Sequence, residues 1–167
     1  QIVDEREADG ILQDAATAWV RTNPDFGDQY IDPDIDENKR QYLLRERWTN
    51  EVVDISRAFI KQAKDWKLLP DEIGHNLERF GTPLPLAEMC HAIYTNYQRG
   101  LNYRGAVDFQ DLIRLALKAL EDDEQFLKRK QYQWRYILED EAQDSSELQE
   151  EILRKLAGDD LNWVRVG

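Results

Sequence analysis

The 167-residue sequence predicts a mainly α protein, a helical segment followed by a strand-helix-strand fragment of a parallel α/β sheet. Apolar residues recur at helical spacing as far as about Lys130, after which the pattern switches to short β-branched and aromatic runs. Two such runs flank one helix, and that order is the unit of a parallel sheet. Two strands do not make a stable open sheet by themselves. The expected organisation is therefore a helical subdomain over residues 1–130 and a partial sheet over 131–167.

Residues 4–22 carry Ala8, Ile11, Leu12, Ala15 and Trp19 on one face, with carboxylates in the first turn, and Asn23-Pro24 stops the helix. Residues 25–38, with Asp-Pro, Phe-Gly and scattered acids, read as a loop. A long helix follows, in which Leu44, Trp48, Val52, Ile55, Phe59, Ala63 and Trp66 form one apolar stripe that Pro70 ends. Tryptophans on such a stripe could stack bases, but the spacing favours core packing.

The Gly81-Thr82-Pro83-Leu84-Pro85 break precedes a helix bearing Leu86, Met89, Cys90, Ile93, Tyr97 and Leu101, its end bracketed by Gly100 and Gly105. Asp108 is a good N-cap, with Asp111 at the third position, for a helix through Leu112, Ile113, Ala116, Leu117 and Leu120 that reaches the acid run 121–124. Beyond it, residues 134–138 and 161–166 read as strands, and a helix from about Ser145 to Ala157 is closed by Gly158.

The composition, 41% apolar and 34% charged, is that of a globular protein. No stretch approaches the roughly 20 apolar residues needed to span a bilayer. Cys90 is the only cysteine, which excludes an internal disulfide and makes a reducing cytoplasm the expected compartment. His75 and His91 lack the spacing and co-ligands of a metal site. A net charge of −12 argues against strong non-specific binding to a phosphate backbone by this chain alone.

The chemistry concentrates where the apolar run Tyr136-Ile137-Leu138 ends in Glu139, Asp140 and Glu141. A strand that delivers adjacent carboxylates at its C-terminal edge can hold Mg²⁺ and orient an attacking water; the alternative is a solvated acidic turn capping the helix that begins near Ser145. Alternation along the strand sets Glu139 and Glu141 on one side and Asp140 on the other until the chain turns. Gln143, Asp144 and Gln149 add polar groups of the kind that sense a phosphate and fix carboxylates. Residues 136–153 hold seven carboxylates and no Lys or Arg, which calls for a metal or a neighbouring basic element close by.

Asp140-Glu141-Ala142-Gln143-Asp144-Ser145-Ser146, with Gln149 following, resembles motif II (Walker B) of the UvrD/Rep-type superfamily 1 DNA helicases. Val107-Asp108-Phe109-Gln110-Asp111-Leu112-Ile113, with Tyr97, Gln98 and Leu101 before it, resembles the segment preceding that motif, where Asp-Phe-Asp-Asp-Leu is usual and Gln110 is a conservative departure. Glu139 stands where the family often has Val. The likeness is strong over residues 87–167 and rests on helical pattern and order over 1–86. It implies the helical subdomain 1B followed by re-entry into a RecA-like domain 1A.

By that resemblance Asp140 would hold Mg²⁺, Glu141 would polarise the attacking water, and Gln143 and Asp144 would complete the motif toward ATP. Asp108 and Asp111 would support it structurally or on the DNA side, with helix cap and core as the equally available reading. None of the eight glycines is followed by Lys, so a phosphate-cradling Gly-x-x-x-x-Gly-Lys-Ser/Thr loop is absent from these residues. The resemblance therefore implies an inactive fragment of an ATP-dependent helicase acting on single-stranded and duplex DNA, of 3′ to 5′ polarity, with no membrane partner. Two rivals are a non-enzymatic helical interaction module keeping a degenerate Walker B motif, and, last, a metal-dependent nuclease using Glu139, Asp140 and Glu141.

Overall fold

Asp4 caps the first helix, α1 (Glu5–Thr22), by accepting from the Glu7 N–H at 2.8 Å while the Glu7 carboxylate reaches back to the Asp4 N–H. The computed structural model describes residues 1–158 and 162–167. Asn23 closes α1 through bonds to the Trp19 and Val20 carbonyls. Ile11, Leu12, Ala15 and Ala16 are its buried face.

The described residues form two compact units, Gln1–Ala63 with Leu68–Asp108, and Lys64–Lys67 with Phe109–Gly167. In the first unit the segment expected to be a loop is partly helical. Phe26–Tyr30 forms a 3-10 turn, its Phe26 ring edge-on to Trp19 at 4.8 Å. Asp36 caps α2 (Glu37–Tyr42) by accepting from the Asn38 and Lys39 N–H groups. The chain passes through a π-helical turn, Leu43–Arg47, into α3 (Trp48–Asp65).

The apolar stripe of that long helix is not buried as its spacing predicts. Trp48, Val52 and Ala63 are buried, but Ile55 and Trp66 are exposed, and Val53, Ser56 and Ile60 take the inward positions instead. Pro70 does not merely end a helix. It occupies the first turn of α4 (Pro70–Phe80), where its missing N–H costs nothing, and Gly81 closes that helix at φ +72°. Pro85 opens α5 (Pro85–Tyr103) in the same way. Gly100 therefore lies inside α5 rather than at its end, and a Cβ there would stand 2.6 Å from Ile11 Cγ2, so it is the glycine that lets α1 and α5 approach. Met89, Ile93, Tyr94 and Leu101 of α5 are almost wholly buried in the core of this unit.

The second unit contains α6 (Phe109–Asp122), α7 (Glu124–Gln133), β1 (Ile137–Glu139), α8 (Glu147–Ala157) and β2 (Trp163–Arg165). The acid run divides α6 from α7, and Asp123 caps the latter through the Phe126 N–H at 2.8 Å. Strands β1 and β2 pair in parallel, Ile137 with Trp163, Leu138 with Val164 and Glu139 with Arg165. The expected start of the second strand at Leu161 falls outside the described residues. Ser146 caps α8 in a reciprocal box with Gln149, and Gly158 follows its last turn. Ile113, Leu117, Leu148 and Ile152 pack together as a small core. Residues 109–130, grouped on sequence pattern with the helical segment, pack within this second unit. The protein is thus mainly α with a two-stranded parallel sheet, the fold class expected from its sequence.

Candidate functional site

The acidic turn begins where pairing of β1 with β2 stops. Val166 N–H bonds to the Glu139 carbonyl at 2.9 Å and Ala142 N–H bonds to the Val166 carbonyl at 3.0 Å, so the two residues between, Asp140 and Glu141, are lifted out of the ladder. Glu141 adopts the left-handed conformation, φ +54° and ψ +43°, which costs a non-glycine residue about 1 kcal/mol. The short helical turn Ala142–Asp144 follows and leads directly to Ser146 and α8.

This backward turn breaks the alternation expected of an extended strand. Glu139 is buried at 9% exposure, whereas Asp140 and Glu141 are both exposed. Asp140 Oδ1 accepts the Glu141 N–H at 3.0 Å, an arrangement that braces the turn. Gln143 Nε2 donates to Glu141 Oε2. Asp144 is exposed, and its N–H bonds back to the Glu141 carbonyl at 2.9 Å. Asp140, Glu141, Gln143 and Asp144 therefore come together on one turn. No lysine or arginine pairs with Asp140 or Glu141 among the described residues.

Gln149 is used differently. Its Oε1 accepts the Ser146 N–H at 2.9 Å and its own N–H bonds Ser146 Oγ at 3.3 Å, so it orders the start of α8 immediately after the turn. Asp108 is buried in the first unit, where Tyr97 donates its hydroxyl to Oδ2 at 2.6 Å. Asp111 is buried in the second, 2.9 Å from Lys64 Nζ.

The cation that the seven carboxylates call for is supplied to Glu139 by Arg165, directly across the ladder. Arg165 Nε stands 2.8 Å from Glu139 Oε2, and Nη1 stands 3.0 Å from Glu150 Oε2. Trp163 Nε1 and Ser145 Oγ also donate to the Glu139 carboxylate, at 3.0 and 2.6 Å. The hydrogen bond from Arg165 holds the Glu150 carboxyl below its ordinary range. Sequence reasoning missed Arg165 and Trp163, although strand pairing in parallel register places Arg165 opposite Glu139 once the two strands are aligned from their apolar residues.

No group of three or more His, Cys, Asp or Glu side chains is placed to hold a metal among the described residues. Mg²⁺ in phosphate chemistry is commonly bound through one or two carboxylates with phosphate and water completing its shell, and the exposed hard oxygens of Asp140 and Glu141 fit that donor set.

A family model described as UvrD/REP helicase N-terminal domain matches residues 2–167. The sequence is 32% identical over 111 residues to a protein named DNA helicase II from Rickettsia typhi, covering 66% of this chain and 16% of that one. It is 35% identical over 77 residues to ATP-dependent DNA helicase UvrD1 of Mycobacterium tuberculosis, covering 46% of this chain and 10% of that one. It is 33% identical over 81 residues to ATP-dependent DNA helicase PcrA of Staphylococcus aureus, covering 48% of this chain and 11% of that one. The chain thus spans a small part of the length of these curated relatives.

Proposed function

The chain belongs to the UvrD/REP helicase N-terminal domain family, and from that premise we propose that its acidic turn supplies the metal-holding and water-orienting carboxylates of an ATP-dependent DNA helicase. The observation that carries the reading is the end of β1, where Asp140 and Glu141 leave the ladder exposed and without a paired lysine or arginine among the described residues. Carboxylates that served only as a cap would be used on the helix that follows, and α8 takes its cap from Ser146 and Gln149 instead.

In this reading Asp140 holds Mg²⁺ and Glu141 orients the attacking water. The bound Mg²⁺ and ATP supply charge neutralisation and the phosphoryl group. Gln143 holds Glu141 Oε2 and so limits the directions in which that carboxylate can point. Glu141, left-handed in backbone, is exposed while Glu139 is buried, so the two carboxylates sit in different surroundings. Asp144 completes the motif on the same turn, while Gln149 fixes the helix that begins three residues after it. Asp108 and Asp111 support the fold from buried positions, one through Tyr97 and the other through Lys64.

Translocation on single-stranded DNA and duplex unwinding are assigned to the longer protein that contains these residues, acting in the cytoplasm, where the lone thiol of Cys90 stays reduced. The 167 residues themselves have no Gly-x-x-x-x-Gly-Lys-Ser/Thr sequence to cradle phosphates and a net charge of −12, so alone they neither hydrolyse ATP nor bind DNA strongly. The test is Glu141→Gln in the full-length protein. Retained ATP binding with abolished DNA-stimulated turnover is expected, and unchanged turnover would sink the assignment.

A further inference from the structure

Arg165 makes three polar attachments around the acidic turn, and all of them belong to different pieces of chain. Nε pairs with Glu139 at the end of β1, Nη2 donates to the Ala142 carbonyl at 3.4 Å just beyond Glu141, and Nη1 pairs with Glu150 on α8. The guanidinium carbon also lies 4.8 Å from the centroid of the Trp163 ring, whose own N–H is committed to Glu139. The side chain is about one third exposed, so its geometry is set by these partners and not by enclosure.

We propose that Arg165 is a positioning residue for the acidic turn: carried on β2, it ties together the residue before Asp140-Glu141, the residue after them and the helix that follows. The proposal rests on the ATP-hydrolysing role assigned above to Asp140 and Glu141. Its physical basis is that Asp140 and Glu141 themselves are held by local bonds, Asp140 Oδ1 to the Glu141 N–H, Gln143 to Glu141 and the Asp144 N–H to the Glu141 carbonyl, between the flanking backbone bonds that join Val166 to Glu139 and Ala142. Local bonds of this kind let a turn rock as a unit. A planar fork with several fixed donors resists that motion, because moving the turn breaks bonds to more than one element at once.

A lysine at 165 would neutralise Glu139 but, as a compact point charge, could not hold three acceptors in fixed directions. That difference separates positioning from simple charge compensation. In the full-length protein, Arg165→Lys is expected to keep the thermal midpoint and to leave the KM for ATP within about twofold, while kcat for DNA-stimulated ATP hydrolysis falls about tenfold or more. The pair Glu139→Gln with Arg165→Met removes the buried charge together with its partner, and is expected to show the same split.

Wild-type kcat in either folded variant overturns the proposal, as does a loss expressed only in KM. If neither variant folds, Arg165 is a stability residue and the proposal also falls. Glu141→Gln measured alongside separates the two levels: full turnover there defeats the assignment of the turn itself, whereas lost turnover there with normal kcat in the Arg165 variants defeats only the positioning role.

Discussion

Lys64 Nζ lies 2.9 Å from Asp111 Oδ2, and the two side chains are exposed by only 1% and 2%. Charges so deeply withdrawn from water are tolerated because they are compensated, Arg114 Nη2 standing 3.6 Å from the other Asp111 oxygen, and removing Lys64 or Asp111 takes the 2.9 Å partner from the one that remains. Lys64→Ala is expected to destabilise the fold by about 3–5 kcal/mol, as is Asp111→Ala. Replacing both by apolar residues, Lys64→Met with Asp111→Leu, is expected to recover most of the loss. Chemical denaturation of the four proteins tests this, and additive losses in the double variant would contradict the pairing.

Asp140 and Glu141 share a turn but should fail in different ways. On the proposed roles Asp140→Asn would weaken a metal ligand, so the Mg²⁺ concentration for half-maximal ATP turnover in the full-length protein is expected to rise by about tenfold or more, with activity partly restored at high Mg²⁺. Glu141→Gln would remove the carboxylate proposed to orient water, and added Mg²⁺ is not expected to help. A Mg²⁺ titration of ATPase rates distinguishes them. Identical, Mg²⁺-insensitive losses would remove the division of roles.

What could be read in the sequence was what depends on period and punctuation. The apolar run ending at Glu139, the helix between Ser146 and Gly158 and the parallel partner around Trp163-Val164-Arg165 all follow from local pattern. Pro70 shows the limit of that reasoning, since a proline is equally fit to stop one helix and to open the next, and only the Gly81 close at the far end reveals α4. Lys64 shows another limit. Periodicity assigned the inward place to Trp66, which is 58% exposed, because a lysine enters an interior only when a distant acid such as Asp111 meets it. Arg165 escaped for the same reason: which carboxylate it meets is decided by strand register and not by its own neighbours in sequence.

Gly100 offers a test in which two local effects oppose each other. In an exposed helix interior, glycine to alanine gains about 1 kcal/mol. Here the new methyl would stand 2.6 Å from Ile11 Cγ2, on a stiff β-branched side chain, and overpacking of that kind costs about 1–3 kcal/mol. Gly100→Ala is therefore expected to be neutral to destabilising, and its cost in an Ile11→Ala background is expected to vanish or reverse. A clear gain in thermal midpoint from Gly100→Ala alone would show that α1 and α5 do not need the glycine.

Cys90 gives the fold an alkaline limit with a determined sign. Burial pushes its thiol up to about 11 from an ordinary value of 9.0. Between those two values the unfolded chain has released its proton while the folded chain still holds it. Fewer protons on the unfolded state mean that stability falls as pH rises through this window, and that the contribution is fully retained below the lower value. Cys90→Ala should lower stability at neutral pH by leaving a small cavity, yet flatten its decline between pH 9 and about 11. Denaturation midpoints for both proteins across that range test the slope, and parallel curves would show that the buried thiol is not what titrates.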